Sequence, residues 1–119
     1  MRLFIKAISL LAMTIPTLYA QTSLPSGWAT LLDTNYRFEV AGYCGLVTEG
    51  VIRGFKEEVR SLSQQHNLPA ESQLEASGKG WQAAHKEWLN RGLGGYKRWC
   101  RNEGQTYAAQ FLNSDSASE

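Results

Sequence analysis

The stretch NYRFEVAGYCGLVTEGVIRGFKEEVRSLSQQHNLP, residues 35–69, decides the fold. Its apolar residues Tyr36, Val40, Tyr43, Cys44, Val47, Val51, Phe55, Val59 and Leu62 recur in steps of three and four. At 100° per residue they fall in a stripe about 160° wide. Glu39, Glu49, Arg53, Lys56, Glu57 and Arg60 take the opposite side. The spacing predicts one long amphipathic helix, N-capped by Asp33 or Thr34 and ending near His66-Asn67, with Pro69 just beyond. Gly42, Gly45, Gly50 and Gly54 lie inside it, and their favoured reading is close approach of a neighbouring helix, since a residue without Cβ lets backbones come nearer.

The second half repeats the period. Leu74, Gly78, Trp81, His85, Trp88, Leu89, Gly92, Tyr96, Trp99, Cys100, Tyr107 and Phe111 share a stripe about 140° wide, expected to face the core; the alternative for its row Trp81, Trp88, Tyr96 and Trp99 is that an exposed part forms a protein-binding face. The run Gly92-Leu93-Gly94-Gly95 is poor helix sequence, and each glycine costs ~1 kcal/mol against Ala. A bend or break is expected there. No strand-like alternation of useful length and no internal repeat is present. The fold expected is all-α: a long helix packed antiparallel on a second, glycine-interrupted helical arm. Its parts are a lead-in segment at 21–33, a helical domain at 34–112 and a disordered, Ser-rich acidic tail at 113–119.

Residues 1–20 read as a cleaved export signal. Arg2 and Lys6 precede an apolar stretch, Pro16 breaks it, and Ala20 supplies the small residue before Gln21. The signal carries two of the twelve Lys and Arg and none of the eleven Asp and Glu, leaving ten basic against eleven acidic residues. That balance gives no general reason to expect nucleic acid or an anionic membrane as partner. It also leaves no segment for stable membrane insertion after cleavage. Both cysteines, Cys44 and Cys100, survive cleavage, and an even count in a small exported domain reads as a disulfide. Closing the loop between them is worth roughly 4 kcal/mol in the chain-entropy model. The location implied is periplasmic or secreted.

In size, export signal, helicity and one long-range disulfide, the chain resembles the small two-cysteine helical proteins of the bacterial periplasm, a type that includes acid-stress chaperones. No motif of that type is matched, so the resemblance assigns no residue and no activity.

Motifs that carry chemistry are missing. His66 and His85 have no Cys or carboxylate at zinc-ligand spacing, and the cysteines are expected to be oxidised, so no metal is assigned. The glycine run lacks the strand and the Lys-Ser or Lys-Thr pair of a phosphate loop, and no cofactor is expected. No serine sits in a nucleophile elbow. Two features stand out. Arg91, Tyr96, Arg98, Trp99 and Arg101 gather beside the expected disulfide and form a candidate patch for an acidic partner, because Arg bonds carboxylates in a planar fork. The second feature is a buried polar pair. A Cys44–Cys100 bond needs Cα atoms within about 7 Å. In an antiparallel pair of arms that places Glu58 beside His85, and a half-buried carboxylate needs such a partner. The reading favoured is an exported protein-interaction factor: an inhibitor, an immunity-type factor or an assembly accessory, with another protein as partner. A periplasmic stress chaperone comes second, and a small enzyme built on His85 and a carboxylate third.

Overall fold

The structure, a computed structural model, describes residues 26–118. The signal at 1–20 and the first part of the lead-in segment, 21–25, lie outside the described residues; the rest of that segment leads into and forms the start of α1. The described chain is all-α: α1 at Trp28–Tyr43, α2 at Glu49–His66, α3 at Ala70–Trp99, a π-helical turn at Cys100–Gly104, and α4 at Gln105–Ala117. The Cys44–Cys100 disulfide is formed, with Cα atoms 5.3 Å apart.

The long helix expected over 34–66 is two helices. Gly45 turns left-handed at φ 68°, and the amides of Gly45 and Leu46 bond back to the carbonyls of Gly42 and Ala41. That is the Schellman stop of a helix. Thr48 then starts α2 by accepting a hydrogen bond from the Val51 amide at 3.3 Å. The start of α1 differs too: Gly27 precedes it, and Asp33 pairs along the helix with Arg37 at 2.9 Å instead of capping. The far end of α2 follows the sequence, with Asn67 in the left-handed conformation and the Leu68 amide bonded to the Ser63 carbonyl.

Helix α1 is central. Helices α1 and α2 form an antiparallel hairpin in which Phe38 stacks on Phe55 with centroids 4.1 Å apart. Helix α4 lies along α2, and Phe111 meets Phe38 and Phe55 edge-on. The approach is close at Gly54, where an added Cβ would sit 1.7 Å from the Phe111 carbonyl oxygen. Helix α3 packs on the remaining face of α1 and runs parallel to it: Leu31 meets Ala76, and Val40 meets Ala84. Asn35 and Gln73 exchange amide hydrogen bonds at 3.1 and 3.2 Å across this contact. The first arm thus meets the glycine-interrupted arm through α1 and not through one continuous helix.

Two further expectations change. Helix α4 extends to Ala117, so most of the segment expected as a disordered tail is helical. Ser114 donates to Glu58 at 2.9 Å and Asp115 pairs with Arg53 at 3.1 Å, which fastens those last turns to α2. More consequential is the orientation of α3. Its buried positions before the kink are Ser72, Ala76, Gly80 and Ala84, a row of small residues at steps of four. A Cβ on Gly80 would lie 2.9 Å from the Tyr36 amide nitrogen, so this row is what brings α3 against α1. Trp81 and His85 are each set about 100° around the helix from the small residue before them, Gly80 and Ala84. The part of the expected stripe from Leu74 to Leu89 therefore lies at or near the surface, while Trp99 and Phe111 of the same stripe are buried.

Candidate interaction surface

Because the straight part of α3 buries only small side chains against α1, its large apolar ones remain at the surface. Trp81 is 47% and Trp88 39% exposed. Leu74 and Leu89 are also exposed. Single exposed apolar residues are ordinary, but a contiguous row is not.

The aromatic part of the row is ordered by stacking. The His85 ring lies 5.0 Å from Trp81, at 9° to it, and 6.1 Å from Trp88. Tyr43, from the last turn of α1, stacks on Trp88 at 5.4 Å. The Tyr43 hydroxyl and His85 Nδ1 share a hydrogen bond of 2.6 Å, which the phenol donates when the neutral imidazole carries its proton on Nε2. Burial, and after it the negative charge of Glu39, raises the Tyr43 pKa, so the donor keeps its proton. Four rings from two helices thus form a fixed platform.

At Gly92 the arm kinks, with φ 65° and ψ −179°. That conformation favours glycine, and it is the break expected from the glycine run. The kink leaves Leu93 92% exposed. Tyr43, Trp88, Leu89, Leu93 and Tyr96 line a groove of about 480 Å³ beside it. Beyond the groove, Lys97, Arg98 and Arg101 are exposed and make no ion pair among the described residues. The disulfide ties this end of the arm to the end of α1.

The candidate patch therefore divides. Arg98, Arg101 and Tyr96 lie at or near the surface. Arg91 is held by Glu87 at 3.0 Å and by the Trp99 ring at 5.7 Å. Trp99 is 1% exposed. It belongs to the core with Val40 and Ala84 and supports the patch from beneath. Sequence reasoning does not single out Tyr43, Leu89 and Leu93 as site residues: the helical period assigns Tyr43 and Leu89 to the core, and Leu93 enters only as part of the glycine run.

The Glu58–His85 pair is not formed. Glu58 accepts from Arg37 Nη2 at 2.9 Å and from Ser114 Oγ at 2.9 Å, while His85 sits in the aromatic platform. The pairing assumed that α2 faces α3, and α1 takes that place. Arg37 also bonds Asp33, Thr34 and Gln110, and lies over the Phe111 ring at 5.0 Å. With its guanidinium shared among α1, α2 and α4, the polar cleft around Arg37 is an internal strut. Among the described residues the hydrogen-bond partner of His85 is the Tyr43 hydroxyl and not a carboxylate. Among the described residues no group of three or more His, Cys, Asp and Glu could hold a metal ion.

No protein-family model, curated protein or solved structure matches the chain.

Proposed function

We propose that this chain is an exported helical interaction protein that binds an acidic protein partner at the kinked end of α3. The observation that supports this best is the exposed Leu93 at the Gly92 kink, flanked by the groove and by Lys97, Arg98 and Arg101. An apolar anchor in a groove with a basic rim is the composition of a protein-binding hot spot. The three cations would meet carboxylates of the partner, and the two arginines can do so in bidentate fashion. Export is supported by the basic and apolar order of residues 1–20 and by the long-range disulfide. No helix among the described residues is long and apolar enough to cross a membrane, which is compatible with that location.

The test is capture from an envelope extract on the immobilised, oxidised mature chain. A single partner in near-stoichiometric amount is expected, and it should be lost with Leu93→Asp and with the Arg98→Glu, Arg101→Glu double variant. Circular dichroism should show helicity unchanged in both. Equal capture by both variants would reject the site. A second reading, a stress chaperone, is favoured by the length of the exposed apolar row from Leu74 to Leu93. It would give many unfolded clients in place of one partner.

A further inference from the structure

The straight part of α3, before the kink, carries a pattern that overlaps the partner groove only at Trp88. Leu74, Gly78, Trp81, His85 and Trp88 follow one another at steps of four, three, four and three. This is the heptad spacing of a helix seam that mates with a second helix. Within the chain only Tyr43, from the last turn of α1, touches it, at His85 and Trp88; otherwise α3 packs on α1 through Ser72, Ala76, Gly80 and Ala84.

We propose that this seam binds the same seam of a second copy of the chain, antiparallel, with Trp81 of each copy against His85 of the other. The argument is size complementarity. In that register Gly78 faces Trp88 of the second copy, so a large side chain meets a small one. The four layers from Gly78 to Trp88 then comprise two distinct pairs, each made twice by the two-fold axis. A parallel arrangement instead sets Trp on Trp and Gly on Gly, leaving steric crowding next to voids. Gly78 has open space around it within its own chain, with no atom within 4 Å of an added Cβ. Nothing in the monomer asks for glycine there, and the indole of a second copy does.

Charge agrees with this occupant, and area sets its strength. The seam segment carries Glu71, Glu75 and Glu87 against Lys79, Lys86 and Arg91. Two intrahelical pairs, Lys79–Glu75 and Arg91–Glu87, take up four of the six. The face is thus neutral, which opposes neither copy and gives an anionic lipid surface nothing to prefer. Trp81, Trp88, Leu74 and Leu89 expose 47%, 39%, 77% and 60% of their surfaces. At roughly 200 Å² for a tryptophan and about 120 Å² for a leucine, they offer about 350 Å² per copy. Two copies thus offer about 700 Å² from these side chains, below the ~1,200 Å² at which stable specific interfaces begin. The dimer is therefore weak and transient.

Sedimentation equilibrium of the mature, oxidised chain tests the proposal, with Gly78→Leu as the decisive variant. The wild type should show a monomer–dimer equilibrium. Gly78→Leu adds apolar surface and a better helix former in open space, so its thermal midpoint should hold or rise. Its dimer should nevertheless weaken about tenfold or more, because the new side chain occupies the place of the indole. Adding Trp88→Ala to Gly78→Leu should recover part of the loss. A wild type that stays monomeric up to ~1 mM overturns the proposal, as does a Gly78→Leu chain that dimerises as well as the wild type. A monomeric chain that co-sediments with phosphatidylglycerol vesicles would assign the face to lipid and overturn it equally.

Discussion

Replacing Gly54 by alanine adds one methyl group in the middle of α2, a change that in an exposed helix stabilises by ~1 kcal/mol. Here it should do the reverse. The new Cβ would lie 1.7 Å from the Phe111 carbonyl oxygen and 2.5 Å from its carbonyl carbon, both backbone atoms of α4. Ordinary heavy-atom contact requires about 3.5 Å, so α4 must retreat by nearly 2 Å at this point. Phe111, fully buried, would then lose part of its packing on Phe38 and Phe55. Overpacking of this kind costs about 1–3 kcal/mol, and partial loss of a buried phenylalanine adds to it. After subtracting the helix-propensity gain, Gly54→Ala should destabilise by about 2–4 kcal/mol, a large share of a typical domain's 5–15 kcal/mol. The assay is urea unfolding followed by circular dichroism, with the disulfide intact and Gly78→Ala as control. Gly78 has open space around it, so the control should gain ~1 kcal/mol. Two identical substitutions with opposite signs are expected. A Gly54→Ala protein within about 0.5 kcal/mol of wild type would refute the close approach of α2 and α4.

Replacing Cys44 and Cys100 together by serine should lower stability by roughly 4 kcal/mol in urea unfolding, the loop-closure value for a bond between residues 56 apart. Glu58→Gln and His85→Ala should be additive in a double-mutant cycle, because the two side chains have different partners; a coupling above ~0.5 kcal/mol would contradict the arrangement. Alkaline titration followed by tyrosinate absorbance should find Tyr36, Tyr43 and Tyr107 late, burial being the first cause in each. Burial first, then the nearby Tyr107, Glu103 and Glu87, push the Tyr36 pKa up to about 12, against the opposing effect of Arg91. Since its folded pKa lies above the unfolded value of ~10, Tyr36 contributes stability fully below pH ~10. That contribution fades as pH rises through about 12, and a fold whose stability does not fall in this window would argue against a buried Tyr36.

Much of the chain's outline could be read from its residues, and the parts that could not have specific causes. The stop of α2 at Asn67 and the kink at Gly92 rest on local backbone chemistry, which sequence states directly. The turn between α1 and α2 was hidden because Val47 and Val51 stay in helical phase with Tyr43 across it. Its own marks, Gly45 as stop and Thr48-Glu49 as start, are weaker than the periodic stripe they interrupt. The orientation of α3 was misjudged for a deeper reason. Hydrophobic periodicity finds the most apolar face, and that face is Leu74, Trp81, Trp88 and Leu89. Helix contact at short distance selects the smallest face instead, and that is Ser72, Ala76, Gly80 and Ala84. When the two differ, as here, the apolar face is left for another molecule. Of the candidate site, the basic cluster was legible. The platform around His85 was not, because it depends on Tyr43 arriving from α1.

The central claim is that α3 turns its small residues inward and its aromatic row outward. Hydroxyl-radical footprinting with mass spectrometry, on the oxidised mature chain at low concentration, reads this residue by residue. Trp81, Trp88 and Leu93 should be oxidised much faster than Trp28 and Trp99, which are 4% and 1% exposed. Protection of Trp81 and Trp88 equal to that of Trp28 and Trp99 would contradict the account.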